Sequence, residues 1–183
     1  MTYNSDIHHR RSVRLPEYDY AAAGAYFVTV CVHERECQFG EIVDGVMMLN
    51  HAGHIVEAEW IKSGELRSEI VIGEYVVMPN HFHGIVNLNV TGTASRAPTI
   101  ERFGKPVIGS LPTIVRSFKS AVTKRINIHR ATPGCPVWQR NYYEHVIRDD
   151  ADYKRIAEYI TDNPLRWVED RLHPDKFTIV PTM

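Results

Sequence analysis

The 183-residue sequence lacks the long apolar segments that mark membrane and secreted proteins. No apolar run approaches the roughly 18 residues of a membrane span, and the N-terminal residues lack the apolar stretch of a signal peptide. With 44% hydrophobic and 23% charged residues, the composition is that of one ordinary globular domain. We therefore expect a single cytoplasmic domain over residues 1–183 that has no membrane partner.

Cysteine is scarce and forms no recognisable pattern. Cys31, Cys37 and Cys135 are odd in number, and none of them shows the two-residue spacing that is typical of zinc sites. In a reducing cytoplasm such residues are expected to remain free thiols that contribute to packing. The pattern disfavours both a disulfide framework and a zinc knuckle.

Several common catalytic motifs are also missing. The tripeptide Gly104-Lys105-Pro106 lacks the upstream glycine spacing and the following Ser or Thr of a Walker-type phosphate loop. The sequence contains no G-x-S-x-G elbow and no H-E-x-x-H helix. We therefore expect no nucleotide cofactor, and the common hydrolase classes lose support.

Charge is nearly balanced, at a formal net charge of −1, but it is strongly segregated along the chain. Acidic residues are concentrated between Glu34 and Glu74, whereas the stretch from Arg102 to Tyr143 has none. That stretch and the N-terminus carry basic groups that would suit a polyanion. On charge alone, a solvated helix face explains the basic segment equally well.

The hydrophobic pattern predicts strands and helices in alternation. Strands are predicted at residues 25–33, 70–78, 81–88 and 137–147, a hairpin at 42–49, and helices at 50–63, from Ser110 onward, and from Asp149 or Asp150 to Asn163. A basic arm (1–20), a mobile loop (89–105) and an irregular tail (166–183) complete the chain. This order of elements predicts an α+β sandwich around an antiparallel sheet.

Two histidines share one side of a predicted strand. Because residues two apart in a strand point the same way, His81 and His83 present imidazoles about 7 Å apart along the chain. Two imidazoles can begin a site for a divalent cation, which then needs an oxygen ligand to complete it. In isolation, half-buried strand histidines that bind no metal are the more common explanation.

The last predicted helix carries a tyrosine and an asparagine on one face. Tyr159 and Asn163 are four residues apart, beside an apolar stripe formed by Tyr153, Ile156 and Ile160. A tyrosine, with an ordinary pKa of about 10, becomes a competent nucleophile when a metal and a desolvated cleft stabilise its phenolate. The Asn163 oxygen would supply the missing ligand. Alternatively, Tyr159 lies at the edge of the core and Asn163 only ends the helix before a proline.

Taken together, these motifs make the sequence resemble the REP-associated tyrosine transposases, members of the HUH superfamily of single-strand transposases. The resemblance covers nearly the whole chain. It is carried by RRSVRLPEYDY, AYFVTVCV, VVMPNHFHGIV, FGKPVIGSLPTIVRSFKSAVTKRIN and PVWQRNYYEHVIRDDADYKRIAEYITDNPLRW. The family's histidine-hydrophobe-histidine motif falls on His81-Phe82-His83, its nucleophilic tyrosine on Tyr159, and its polar metal ligand on Asn163. Insertion-sequence relatives often carry glutamine where this chain has Asn163.

The resemblance implies a ferredoxin-like (RRM-like) sandwich with a central antiparallel sheet, helices on one face and a C-terminal tyrosine-bearing helix. It implies a metal-dependent enzyme that nicks and rejoins single-stranded, hairpin-forming DNA such as repetitive extragenic palindromes. His81 and His83 would hold Mg²⁺ or Mn²⁺, and Tyr159 would form a 5′-phosphotyrosine intermediate. Relatives act as monomers or as homodimers, and the resemblance leaves both possibilities open for this chain.

Candidate DNA-binding residues follow from the basic segments, whose cations would contact phosphates, and from aromatic residues that would stack on unpaired bases. They are Arg10, Arg11, Arg14, Arg116, Lys119, Lys124, Arg125, Trp138 and Arg140, with Tyr142 or Tyr143 as alternative aromatic candidates. For the aromatic residues, core packing is the more common role. A competing hypothesis is a non-catalytic nucleic-acid-binding module with a ferredoxin-like fold, whose DNA binding would be insensitive to EDTA.

Overall fold

The computed structural model describes residues 18–89 and 107–177. Most of the predicted basic arm and of the predicted loop at 89–105 therefore lies outside the described residues. The elements are β1 (Gly24–Cys31), β2 (Gly40–Val43), β3 (Val46–Leu49), α1 (His51–Glu65), β4 (Ile70–Met78), β5 (His81–Leu88), α2 (Leu111–Arg130), β6 (Tyr143–Ile147) and α3 (Asp150–Asp162). Short 3-10 helices cover His33–Arg35, Trp167–Glu169 and Pro174–Phe177.

Four strands form one antiparallel sheet in the order β4-β5-β1-β6. The chain order β1-α1-β4-β5-α2-β6 together with this strand order is the ferredoxin-like arrangement, which confirms the predicted fold class. The β2–β3 hairpin is inserted between β1 and α1 as a separate two-stranded sheet. Its turn residues Asp44 and Gly45 both have positive φ, of 51° and 76°, as a two-residue hairpin turn requires. The predicted hairpin is therefore confirmed.

Helices α1 and α2 cover one face of the sheet and build the larger part of the core. Trp60 of α1 lies at its centre, with ring centroids 4.7 Å from Phe82 of β5 and 5.1 Å from Phe118 of α2. An added Cβ at Gly84 would lie 2.7 Å from the Trp60 ring, so β5 needs glycine at that position to let the indole approach. The indole thus packs directly against the backbone of the strand that carries the two histidines.

Replacing Trp60 with alanine is expected to lower the free energy of unfolding by about 3–5 kcal/mol, because it empties a large site in the packed core. The Trp60 side chain is 1% exposed, whereas the adjacent Ile61 is 41% exposed. Ile61→Ala is the matched control and should cost about 1 kcal/mol or less. Urea denaturation followed by circular dichroism measures both variants, and equal losses would contradict the assignment of Trp60 to the core.

Helix α3 lies on the opposite face of the sheet. Its Ile156 and Ile160 pack against Phe27, Ile85 and Ile147, which form a second and smaller cluster of buried residues. Because alternate strand residues point to opposite faces, His81 and His83 share this face with Ile85. The sheet thereby separates the α1–α2 core from the face on which the two histidines and α3 meet.

Two boundaries differ from the predictions. Helix α1 continues through Gly64 to Glu65 instead of stopping at Gly64. The strand predicted from residue 137 is interrupted: Trp138 forms an antiparallel bridge with Val32 and the Gln139 N–H donates to the Cys31 carbonyl at 2.9 Å, but β6 itself begins at Tyr143. Between them, Lys119 of α2 donates hydrogen bonds to the carbonyl oxygens of residues 139, 140 and 141, at 2.6, 3.2 and 3.2 Å. These bonds give the carbonyls of the interruption a partner outside the sheet.

Two further predictions hold only in part. Ser110 precedes α2, although its hydroxyl donates to the Val107 carbonyl at 2.8 Å and does not cap the helix. Cys31, Cys37 and Cys135 are free thiols, but Cys37 and Cys135 are exposed and so do not contribute to packing as expected. None of the helices in the two described ranges is long and apolar enough to cross a bilayer.

Candidate active site and metal centre

The two histidines of β5 are buried next to one another. His81 is 0% and His83 is 2% exposed, and their ring centroids are 4.5 Å apart. Burial lowers the pKa of His81 to about 3 and that of His83 well below its usual value. Both imidazoles are therefore neutral at physiological pH, which is the form that binds a metal.

The orientation of the His81 ring is set by the neighbouring Asn80. The Asn80 amide nitrogen donates to the carbonyl oxygens of Arg35, at 3.1 Å, and Leu172, at 2.7 Å. Its amide oxygen is therefore the atom that accepts from His81 Nδ1, 2.8 Å away. This places the proton of His81 on Nδ1 and leaves a lone pair on Nε2, which is buried and has no hydrogen-bond partner among the described residues.

The His83 ring is held between Thr29 and Tyr159. Its Nδ1 lies 2.8 Å from the Thr29 hydroxyl, and its Nε2 lies 3.3 Å from the Tyr159 phenol oxygen. Phe27 stacks on the same ring, with centroids 5.2 Å apart. In metal sites, a histidine that ligates through Nε2 commonly bonds a polar group through Nδ1. Thr29 contacts Nδ1 of His83 in this way, and Asn80 contacts Nδ1 of His81.

Tyr159 combines an accessible side chain with a buried neighbourhood. It is 43% exposed, although it lies beside the buried His83. Burial raises its pKa above the usual value, and the nearby Asp170 carboxylate raises it further. The phenol is thus protonated at neutral pH in the absence of a cation, while much of the residue remains exposed.

Helix α3 is fixed on the sheet by polar contacts as well as by its apolar stripe. Asp149 caps its first turn by accepting from the Asp152 backbone N–H at 2.8 Å, as predicted. The Tyr153 hydroxyl donates to Glu74 of β4 at 2.9 Å, and His145 of β6 lies 2.7 Å from the Asp152 carboxylate. These contacts join α3 to both edge strands, and so hold Tyr159 in register with β5.

An acidic residue of this site, Asp170, was not among the predicted ligands. Asp170 follows the 3-10 helix Trp167–Glu169 in the segment predicted as an irregular tail, and its side chain is 5% exposed. Its Oδ2 is 3.9 Å from His81 Nε2. Because His81 is neutral, this contact is not an ion pair. Ligand atoms of His81, His83 and Asp170 all lie within 4.8 Å of one another, and no other such cluster occurs within residues 18–89 and 107–177.

Asn163, the predicted oxygen ligand, lies at the same place. It is 3% exposed, and its amide nitrogen donates to Asp170 Oδ2 at 3.2 Å. Its amide oxygen is buried and has no hydrogen-bond partner in the described part of the chain. Buried polar atoms are rarely left without a partner in proteins, unless an ion or water completes their bonding.

The donor set fits a divalent cation. It comprises two neutral imidazoles, one carboxylate and one amide oxygen, a mixture that borderline and harder divalent ions accept. The ligand atoms of His81, His83 and Asp170 lie within 4.8 Å of one another. Two ligands on opposite sides of an ion bound at about 2.1 Å are roughly 4.2 Å apart, which is close to that distance. The residues present could therefore hold such an ion with small adjustments.

The candidate DNA-binding residues occupy different environments. Arg10, Arg11 and Arg14 lie outside the described residues. Arg116, Lys124, Arg125 and Arg140 are exposed, although Arg125 also forms a 2.7 Å ion pair with Glu59. Arg116, Lys124 and Arg125 are on α2, on the face of the sheet opposite α3.

The remaining two candidates, Lys119 and Trp138, are not exposed. Lys119 was expected to face solvent or a partner, but it is half-buried and bonds the carbonyls of the loop before β6. Burial lowers its pKa to about 8. Trp138 is 7% exposed and packs on Phe39 and Phe118, as the core-packing alternative predicted. Trp138 therefore presents no open face for a base.

Comparison with known proteins provides one close relative and one shared fold. No protein-family model matches the chain. An uncharacterised protein of Haemophilus influenzae is 41% identical over 178 residues, which cover 94% of this chain and 98% of that protein. The structure of a REP-associated tyrosine transposase bound to a REP hairpin matches with a TM-score of 0.55 and 23% identity, over 86% of this chain and 74% of that one.

A weaker match is the crystal structure of a transposase candidate from Deinococcus radiodurans. It has a TM-score of 0.43 and 16% identity, over 77% of this chain and 91% of that one. This similarity is too low to define a common fold by itself.

Proposed function

We propose that the chain is a metal-dependent enzyme that nicks and rejoins single-stranded DNA. It belongs to the same protein family as the uncharacterised Haemophilus influenzae protein, and it has the fold of the REP-associated tyrosine transposase. The observation that supports the proposal most directly is the 3.3 Å approach of the Tyr159 phenol to His83, beside the His81–His83–Asp170 cluster. A half-exposed tyrosine next to buried metal-binding groups is suited to attack a bound phosphate.

In this proposal Tyr159 is the nucleophile. Its phenol oxygen forms a bond to phosphorus, and the bond between phosphorus and the 3′ oxygen of the preceding nucleotide breaks. The phenol loses one proton to solvent and the departing 3′ oxygen gains one, which leaves a 5′-phosphotyrosine and a free 3′-hydroxyl. Because the phosphotyrosine is itself a phosphodiester, attack by a 3′-hydroxyl can restore a DNA strand without ATP.

The cation, Mg²⁺ or Mn²⁺, would be held by the Nε2 atoms of His81 and His83 and by an oxygen from Asp170 or Asn163. When bound, a divalent cation there polarises the scissile phosphate and stabilises developing negative charge. The chain itself keeps both imidazoles neutral by burial and brings a ring nitrogen of each within 4.8 Å of the other and of an Asp170 oxygen. It also holds the Tyr159 oxygen at the border between this buried cluster and solvent.

We further propose that the DNA extends beyond the face that carries Tyr159. The exposed cations Arg116, Lys124 and Arg125 lie on α2, behind the sheet, whereas Arg140 lies in the loop that leads into the edge strand β6. A hairpin that contacts both α2 and the tyrosine would pass around the β6 edge. Its phosphates would meet these cations there, and binding would weaken with salt.

The proposed activity is tested by incubating the protein with 5′- and 3′-labelled single-stranded DNA that contains a hairpin, in Mn²⁺ or in EDTA. We expect a protein–DNA adduct that survives denaturation, carries the label on the 3′ side of the nick, and forms only with the metal. Binding of the hairpin without any adduct would contradict the proposal and favour the non-catalytic binding module. Cleavage without an adduct would indicate a different class of metal hydrolase.

A further inference from the structure

The turn between β4 and β5 contains a buried asparagine, although turn residues usually lie at the protein surface. Asn80 is 1% exposed, and its backbone carbonyl accepts from the Val32 N–H at 2.9 Å. Its side chain makes three hydrogen bonds in three directions: to His81 on β5, to Arg35 in the 3-10 helix after β1, and to Leu172 near the end of the described chain. One amide thus joins three segments at the edge of the metal cluster.

The contact with Leu172 bears directly on the position of Asp170. The Leu172 carbonyl accepts from the Asn80 amide at 2.7 Å, while the Leu172 N–H donates to Asp170 Oδ1 at 2.6 Å. Asp170 Oδ1 is thereby fixed, and Oδ2 is left facing His81 and Asn163. The carboxylate is held by a residue whose own position depends on Asn80.

Few apolar contacts hold the segment at 165–173 in place. Leu165 and Val168 are 72% and 73% exposed. Trp167 makes the main ring contacts, with centroids 6.0 Å from His81 and 4.7 Å from His173. A segment with so little buried apolar surface opens readily unless polar contacts hold it. The hydrogen bond from the buried residue Asn80 to the Leu172 carbonyl is a contact of this kind.

The Arg35 side of the arrangement shows backbone strain. Glu34 and Arg35 are consecutive non-glycine residues with positive φ, of 55° and 60°. Such conformations are unfavourable for non-glycine residues, and they persist where the surrounding structure requires them. Here they direct the Arg35 carbonyl to the Asn80 amide, at 3.1 Å.

We propose that Asn80 is a positioning residue that couples the metal site to the segment carrying Asp170. Its amide oxygen keeps the His81 lone pair on Nε2, and its amide nitrogen docks Leu172 and, through it, the Asp170 carboxylate. Asp170 is then the oxygen ligand that completes the pair of histidines, and Asn163 orients it. This inference rests on the proposed function for the presence of a cation, but the docking of the segment can be measured without one.

Asn80→Asp separates the two roles of the amide. A carboxylate at this position still accepts from His81 Nδ1, but it cannot donate to Leu172 and it repels that carbonyl. In the metal-free protein, we expect amide hydrogen exchange over residues 166–177 to become about tenfold faster. Mn²⁺ affinity, measured from the electron paramagnetic resonance signal of free Mn²⁺, should fall about 10- to 100-fold, as is typical when a group that orients a ligand is lost.

Three further variants make the test specific. Asn89→Asp introduces the same charge at an exposed asparagine just after β5 and should change neither measurement. Asp170→Asn should weaken Mn²⁺ binding at least tenfold and leave exchange of the segment slow, whereas Glu169→Gln, at an exposed neighbour, should do neither. Asn80→Ser adds no charge and replaces Asn80→Asp if the latter fails to fold. We expect the same faster amide exchange and the same loss of Mn²⁺ affinity from it.

The outcomes are distinguishable. If both Asn80 variants bind Mn²⁺ with wild-type affinity, whether or not their amide hydrogen exchange is faster, the coupling is overturned and the proposed function is left intact. Wild-type affinity in Asp170→Asn would overturn the assignment of Asp170 as a ligand. Failure of the wild-type protein to bind Mn²⁺ would overturn this inference together with the metal dependence of the proposed function.

Discussion

Tyr159→Phe is expected to abolish the covalent protein–DNA adduct and leave the protein folded and able to bind hairpin DNA. Phenylalanine retains the ring but has no oxygen to bond phosphorus, and loss of a covalent nucleophile lowers turnover on the order of 10⁶-fold in a well-studied case. The adduct should therefore fall below detection. Because the side chain is 43% exposed and its hydroxyl makes one long contact with His83, at 3.3 Å, the change in stability should be about 1 kcal/mol or less.

The matched control for this variant is Tyr143→Phe. Tyr143 lies on the same face of the sheet, is 48% exposed and also contacts Phe27, at a centroid distance of 6.4 Å. Denaturing gels of the labelled-DNA reaction should show the adduct with Tyr143→Phe at the level of the wild type. An adduct that persists in Tyr159→Phe but disappears in Tyr143→Phe would show that Tyr143 is the nucleophile and would contradict the assignment of Tyr159.

His81→Ala and His83→Ala are each expected to remove both Mn²⁺ binding and adduct formation. Each substitution deletes one of two imidazoles in a donor set that offers few alternatives, so Mn²⁺ affinity should fall by at least about 100-fold, the upper limit seen for loss of an orienting neighbour. Electron paramagnetic resonance titration measures the affinity directly, independently of DNA cleavage.

Two controls guard against a trivial explanation of the histidine variants. His54→Ala removes an exposed histidine of α1, whose side chain is 65% exposed, and should leave affinity and adduct unchanged. Thermal denaturation of His81→Ala and His83→Ala should show a folded protein, since a cavity in a buried position lowers stability without necessarily preventing folding. Unchanged Mn²⁺ affinity in both folded variants would place the cation elsewhere.

The combined variant His81→Ala with Tyr159→Phe separates the two function hypotheses. For a nicking and joining enzyme, it retains DNA binding through the cations and loses all covalent chemistry. For a non-catalytic module, every biological effect of the protein would survive in this variant, and DNA binding would be insensitive to EDTA. The measurement is a hairpin-binding assay run in parallel with the adduct assay.

Those parts of the site that depend on local periodicity were predictable. The two-residue repeat of a strand placed His81 and His83 on one face, and the repeat of a helix placed Tyr159 next to the stripe that Ile156 and Ile160 bury. The cap at Asp149 likewise needs only a neighbour three residues away. In each case the interacting residues are close in sequence, so a one-dimensional pattern contains the necessary information.

The remaining parts depend on contacts between distant segments. Asn80 and Leu172 are 92 positions apart, and Asp170 lies in a stretch of short 3-10 turns that has no periodicity to interpret. The interruption before β6 also involves a distant partner, since Lys119 of α2 bonds the carbonyls of residues 139–141 from 20 to 22 positions away. No local pattern marks which charged or amide side chain will find such a partner.

By itself, the sequence determined the alternation of strands and helices in an α+β sandwich, the histidine pair and the tyrosine helix, because alternating burial along each element sets which residues face inward. Only the tertiary structure decided that α3 lies across the sheet from the basic helix α2 and that Asn163 bonds Asp170. It also decided that Asn80 joins His81 to the end of the described chain. Buried polar atoms must find partners wherever the packed chain brings them, and those partners are set by the three-dimensional arrangement.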